Sequence, residues 1–128
     1  MADVNRKGLA ICLLDDDPAT VRATSRLLNS AGWEVEGFTD PELFLQHSQT
    51  HQPCLAVIDI WMPLMHGLEV QRKLCQVSPA TRVIVLTGKD DPSVRSRALT
   101  AGALAFFVKP APKNDLLASI QSAIAAAA

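Results

Sequence analysis

The sequence predicts an α/β protein in which a parallel five-stranded sheet is covered by helices on both faces. Short runs rich in apolar residues alternate with segments of helical period along the whole chain. Most of these runs are continuously apolar, the pattern of strands buried on both faces. Prolines and glycines fall between the runs, where helices start and stop. A chain of 128 residues suits one domain with one core, since domains of about 100–150 residues are the commonest.

Taken in order, the first strand is read at LAICLL. Val21, Thr24, Leu28 and Ala31 then recur at helical spacing, so a helix covers 18–31, with Gly32 as its stop. The strand WEVEGF leads to a helix over 41–48, and the strand CLAVI to a helix over 67–77 that ends before Ser78 and Pro79. RVIVL is followed by a helix over 92–101, closed by Gly102, and LAFFV by a helix from 114 to about 126. Pro41, Pro53, Pro79, Pro92 and Pro112 sit near these boundaries, where a missing N–H is harmless. Residues 1–128 are therefore read as a single domain, the final alanines being either helix end or the start of a linker.

The residue closing each run carries the chemistry. Asp15 follows LAICLL, Asp59 follows CLAVI, Thr87 follows RVIVL and Lys109 follows LAFFV. In an open parallel sheet the carboxyl ends of the strands line one edge, and ligands bind in the crevice there. In the doubly wound order 2-1-3-4-5, strands one and three are neighbours, which sets their terminal acids about 4.8 Å apart at the backbone. Thr87 is one strand further on. Lys109 lies two strands from Asp59, roughly 10 Å at the backbone, a gap that a lysine stem largely spans.

The stretch LLDDDPAT adds Asp16 and Asp17 to this edge. Carboxylates held within a few ångströms repel, so either one takes a proton or a divalent cation neutralises them. An all-oxygen set favours a hard ion such as Mg²⁺, which keeps positions open for a phosphoryl group. Asp59 can then be the nucleophile, Lys109 a point charge on the phosphate oxygens and Thr87 a hydroxyl donor to one of them. Asp17, directly before Pro18, suits a helix N-cap.

At these residues the chain resembles the receiver domains of bacterial two-component response regulators. LLDDDPA, VIDIWMPLMHGLEV, VIVLTG and AGALAFFVKPA look like the family's four signatures in order and spacing, and the resemblance covers essentially the whole chain. It implies a flavodoxin-like (βα)5 fold with sheet order 2-1-3-4-5. It further implies that Asp59 accepts a phosphoryl group from a sensor histidine kinase, with Mg²⁺ held by Asp15 or Asp16, Asp59 and the backbone carbonyl of Trp61. Thr87 and Phe106 would form the switch, Phe106 standing where the family more often has tyrosine. The Lys109–Pro110 peptide would be cis. The face formed by the fourth helix, fifth strand and fifth helix would then change, favouring homodimerisation or engagement of an output domain or effector, with transcription as the expected output. The chain would be a phosphoacceptor that assists its own phosphorylation and dephosphorylation, not an enzyme in its own right.

Composition narrows the alternatives. Twelve Lys plus Arg against thirteen Asp plus Glu give a net charge of −1, so no global field favours nucleic acid or an anionic membrane. Arg6 and Lys7 precede an apolar run that Asp15 interrupts too early for a signal peptide or a membrane span. Cys12, Cys54 and Cys75 lack a CxxC spacing and are read as reduced, buried thiols of a cytoplasmic protein. His47, His51 and Cys54 are too loosely spaced for zinc and are read as surface residues. Arg95 and Arg97 are read as a solvated face. Trp61 is bulky enough to cover part of the site, Gly88 leaves access open, and Lys89 is placed to reach the phosphate edge. A phosphatase reading, with Asp15 and Asp17 as the nucleophile and acid of a DxD pair, lacks the acidic pair it needs after Lys109, where Asp115 stands alone. Neither GxGxxG nor GxxxxGK[ST] occurs.

Overall fold

A computed structural model describes residues 10–127. Five strands alternate with five helices: β1 (Ile11–Leu14), α1 (Pro18–Ser30), β2 (Val35–Phe38), α2 (Pro41–His51), β3 (Leu55–Ile58), α3 (Gly67–Val77), β4 (Arg82–Thr87), α4 (Pro92–Thr100), β5 (Ala105–Val108) and α5 (Lys113–Ala127). All strands are parallel, in the order β2-β1-β3-β4-β5. Strand alternation divides the core into two layers. Cys12, Leu14, Ala56, Ile58, Val83 and Val85 meet Phe44 of α2, Val70 and Leu74 of α3, and Val94 and Ala98 of α4. Ile11, Leu13, Leu55, Val57, Ile84 and Leu86 meet Leu28 of α1 and Leu116, Ile120 and Ala123 of α5.

The central strands β1 and β3 are buried throughout, whereas every residue of β5 is half-buried because no strand among the described residues pairs with its outer edge. Phe107 is therefore only partly buried, packing on the α1/α5 layer, while Phe106 packs on the opposite one. The second strand is shorter than the run WEVEGF suggests. Trp33 N–H instead donates to Leu28 O in the turn closing α1. Four of the helices start on residues whose side chains accept a hydrogen bond from their first turn: Asp17, Asp40, His66 and Asp91.

Helix α2 runs three residues past the expected Ser48 because Gln52 caps it in the left-handed conformation, at φ 49 and ψ 63. The Gln52 amide also donates to Gln49 O at 2.8 Å and to Val77 O at 2.9 Å, so one side chain closes the ends of α2 and α3 together. Ser78 Oγ donates to its amide oxygen, and Thr81 Oγ1 beside Ser78 donates to Pro53 O at 2.6 Å. Gln52→Ala is expected to lower stability by about 1–2 kcal/mol, since two to three hydrogen bonds are lost and alanine is no better suited to positive φ. Gln52→Gly should recover part of that loss. Urea denaturation of the three proteins checks both expectations.

The thiols and imidazoles depart from the sequence reading. Cys12 is buried, and burial pushes its pKa up to about 12. Cys54 is half-buried and also raised by burial, but Cys75 is exposed on α3, contrary to the expectation of a buried thiol. His47 is not simply a surface residue: on the extended α2 its ring is half-buried 5.0 Å from Phe38 and stacks 4.0 Å from His51.

Candidate functional site

Asp15 and Asp59 occupy the first positions after adjacent strands, and the ladder extends just far enough to hold them. Asp59 N–H donates to Leu14 O at 2.9 Å and Asp15 N–H to Phe38 O at 3.1 Å. Both side chains are buried, at 3% and 6% exposure, while Asp16 is exposed. One carboxylate oxygen from each of Asp15, Asp16 and Asp59 lies within 4.8 Å of the others, making this the one group of three potential metal ligands among the described residues. Asp17 borders the same cleft but is not one of the three. It caps α1, and hydrogen bonds from Thr20 and Ala19 hold its carboxyl below the usual range.

Lys109 directly follows β5, with its N–H bonded to Thr87 O at 2.7 Å and a cis peptide to Pro110. Its ammonium crosses the sheet edge to Asp15 Oδ2 at 2.5 Å, and Asp15 Oδ1 accepts from Asp17 N–H. Thr87 is fully buried. Its hydroxyl lies near the Asp59 carboxylate, but the contact falls short of a hydrogen bond, so Oγ1 is buried without a partner. An orphaned buried hydroxyl is costly, and a phosphoryl oxygen added at Asp59 would satisfy it.

Asp59 itself is under electrostatic strain. Burial raises its pKa above the ordinary value, and Asp15 adds to the rise; Thr87, Lys109 and the Ile60 N–H oppose it. The folded protein thus holds this proton more tightly than the unfolded chain does, and stability without divalent cations falls as pH rises through the raised value. Asp59→Asn, which removes the buried charge, is expected to be more stable than the unsubstituted protein at pH 7, with the difference vanishing below the ordinary pKa of 3.8. Thermal melts in EDTA at the two pH values provide the measurement.

Asp15, Asp16, Asp59 and Lys109 line a cleft of about 320 Å³ together with Trp61, Gly88 and Lys89. Lys89 does not extend freely towards the acids: its ammonium sits 4.7 Å from the Trp61 ring centroid. His66 approaches the same indole edge-on at 5.1 Å while its Nδ1 accepts from Leu68 N–H, giving this loop histidine a capping role that its sequence position alone did not reveal. The donors offered to a cation are all carboxylate oxygens, the set that Mg²⁺ prefers over softer metals. Two larger clefts, of about 400 and 440 Å³, border the first residues of β4 and β5, away from the strand ends that carry the acids.

Phe106 lies on the sheet face covered by α4, half-buried, with the Arg95 guanidinium 5.1 Å from its ring centroid. Reading Arg95 as a solvated residue missed this contact, because it joins α4 to β5 through the tertiary fold and leaves no local spacing signal.

Comparison with known proteins agrees with the architecture. Residues 11–121 match the response regulator receiver domain. The chain is 37% identical over 122 residues to the response regulator protein TmoT of Ectopseudomonas mendocina, covering 94% of this chain and 55% of that protein. It is 36% identical over 114 residues to the response regulator protein TodT of Pseudomonas putida, covering 89% and 50%. A crystal structure of a CheY-like receiver domain protein from Methanospirillum hungatei JF-1 superposes with a TM-score of 0.86 at 30% identity, covering 92% of this chain and 94% of that one. The chain spans about half the length of the curated relatives it matches. With strand order, strand-end acids and sequence similarity in agreement, the chain belongs to the response regulator receiver domain family.

Proposed function

We infer that this domain accepts a phosphoryl group on Asp59 and uses it to change its α4-β5-α5 face. The observation that carries the reading is the convergence of three carboxylates on a buried, partnerless Thr87 hydroxyl and a Lys109 ammonium at one sheet edge. A bound Mg²⁺, held by Asp15 or Asp16, Asp59 and the Trp61 carbonyl, would supply charge neutralisation for the incoming phosphoryl oxygens. An Asp59 oxygen attacks the phosphorus of a phosphohistidine on a sensor kinase, the P–N bond breaks, and the histidine leaves with the electron pair. Lys109 exchanges part of its contact with Asp15 for a phosphoryl oxygen. Thr87 gains the acceptor it lacks by turning towards the phosphate, and the space it vacates admits the Phe106 ring.

This makes the domain a phosphoacceptor with no separate substrate to turn over. Residues 1–128 act as a single receiver unit in the cytoplasm, coupled to a longer regulator whose output is transcription, either through an output domain or a phosphorylation-dependent homodimer. The greater length of TmoT and TodT supports the coupling to a further domain. Among the described residues no helix is long and apolar enough to cross a membrane, and no direct nucleic acid contact is assigned to this domain. Incubation with acetyl phosphate and Mg²⁺ tests the reading: the intact mass should rise by one phosphoryl group, and EDTA should prevent it. An unchanged mass under conditions that phosphorylate another receiver would overturn it.

A further inference from the structure

Among the described residues the Arg95 guanidinium has two partners, and both lie near the switch. Its Nη2 meets Asp90 Oδ1 at 3.1 Å, and its central carbon stands 5.1 Å from the centroid of Phe106, inside the range of about 6 Å over which a cation is attracted to a ring face. Asp90 lies just before the N-cap Asp91, so it is anchored where the loop from Thr87 becomes α4. The arrangement runs from β4 through the Asp90 carboxylate and the Arg95 guanidinium to the ring on β5. Phe106 has no hydroxyl, so the ring face is its means of polar recognition, and the pair is half-exposed, where a planar guanidinium retains its hydration while covering the ring.

We propose that Arg95, steered by Asp90, holds the Phe106 ring in the position seen here and so sets how much of the unphosphorylated protein occupies the activated arrangement. The inference rests on the phosphoswitch reading above and adds a positioning residue to it. The contact exists only while the ring stays beneath the guanidinium. Movement of Phe106 into space vacated by Thr87 breaks it, so the latch opposes activation in the resting state. Once released, Arg95 is left on the α4 surface without its aromatic partner. Phosphorylation then changes which surface the Arg95 charge covers as well as the shape of that face, a local event that biases a two-state element.

The test compares the unsubstituted domain with Arg95→Gln, Arg95→Lys and Asp90→Asn, each carrying isotope-labelled phenylalanine. In the unphosphorylated state, Arg95→Gln should move the Phe106 ring resonance towards the position that acetyl phosphate and Mg²⁺ produce in the unsubstituted protein. The inward-to-outward ratio should rise about two- to five-fold, the change that about 0.5–1 kcal/mol of cation–ring attraction supports. Asp90→Asn should give a smaller shift in the same direction, and Arg95→Lys should stay near the starting position. The rate of phosphoryl uptake by Arg95→Gln should rise by a similar factor, while its thermal stability, the readout of a merely structural role, changes little. With Phe106→Leu in the background, Arg95→Gln should have no further effect on uptake. A ring resonance and uptake rate in Arg95→Gln indistinguishable from the unsubstituted protein would overturn the latch. If no variant takes up phosphate, the phosphoacceptor reading fails, and the latch is still decided by whether Arg95→Gln moves the ring in the unmodified chain.

Discussion

Replacing Asp59 by asparagine is expected to abolish phosphoryl uptake from acetyl phosphate, measured as intact mass, while leaving the fold intact. The amide is a far weaker nucleophile than the carboxylate and also removes one of three clustered anionic ligands. The burial that raises the Asp59 pKa makes loss of the charge easy for the fold to tolerate, so lost uptake will not reflect unfolding. Asp15→Asn should behave differently: it weakens Mg²⁺ binding, so that more Mg²⁺ is needed, and loosens Lys109, slowing uptake without removing the acceptor. A phosphatase using the DxD pair predicts the reverse, with loss in Asp15→Asn and near-normal chemistry in Asp59→Asn. The engagement of Asp17 in capping α1 already counts against that arrangement. Persistence of a phosphorylated Asp59→Asn protein would sink the acceptor assignment.

Gly67→Ala is expected to cost about 1–3 kcal/mol of stability and to slow phosphoryl uptake in the molecules that remain folded. A Cβ at this position would lie 2.4 Å from Asp59 O and 2.5 Å from Ile60 Cα. Both are backbone atoms, so neither can swing aside as the end of a side chain would. Gly67 N–H also donates to Ile60 O at 2.8 Å, which draws the start of α3 tightly against the strand end carrying the acceptor. Relieving the clash must therefore move Asp59 itself. Gly88→Ala is the control: a Cβ there meets nothing within 4 Å, and the effect should stay within about 0.5 kcal/mol. Equal urea midpoints for the two variants would contradict this account.

Much of the fold was legible because burial on both faces imposes an uninterrupted apolar run. LAICLL and CLAVI contain β1 and β3, and RVIVL all of β4 but its last residue, Thr87; these strands are packed between helices on either side. The edges were less clear. Of the two glutamates in WEVEGF, Glu36 is exposed on β2, which pairs with β1 alone among the described residues, and Glu34 precedes the strand, which the run overstates by two residues at the start. The end of α2 was missed because a glutamine in the left-handed region is no sequence signal for a helix cap, whereas the glycines after α1 and α4, at φ 97 and 111, are.

The sequence by itself determined that Asp15, Asp59, Thr87 and Lys109 end successive strands of one parallel sheet, because chain direction and strand period oblige every strand-end residue to face the same edge. Only the tertiary structure decided which of these groups pair. Lys109 rests on Asp15, Thr87 is left with an unused hydroxyl, Lys89 covers Trp61 and Arg95 covers Phe106. Each of the three contacts joins residues brought together from different loops, strands or helices, and long side chains choose among several partners within reach. Periodicity specifies where a backbone runs, but the partner a side chain takes depends on packing and electrostatics in three dimensions.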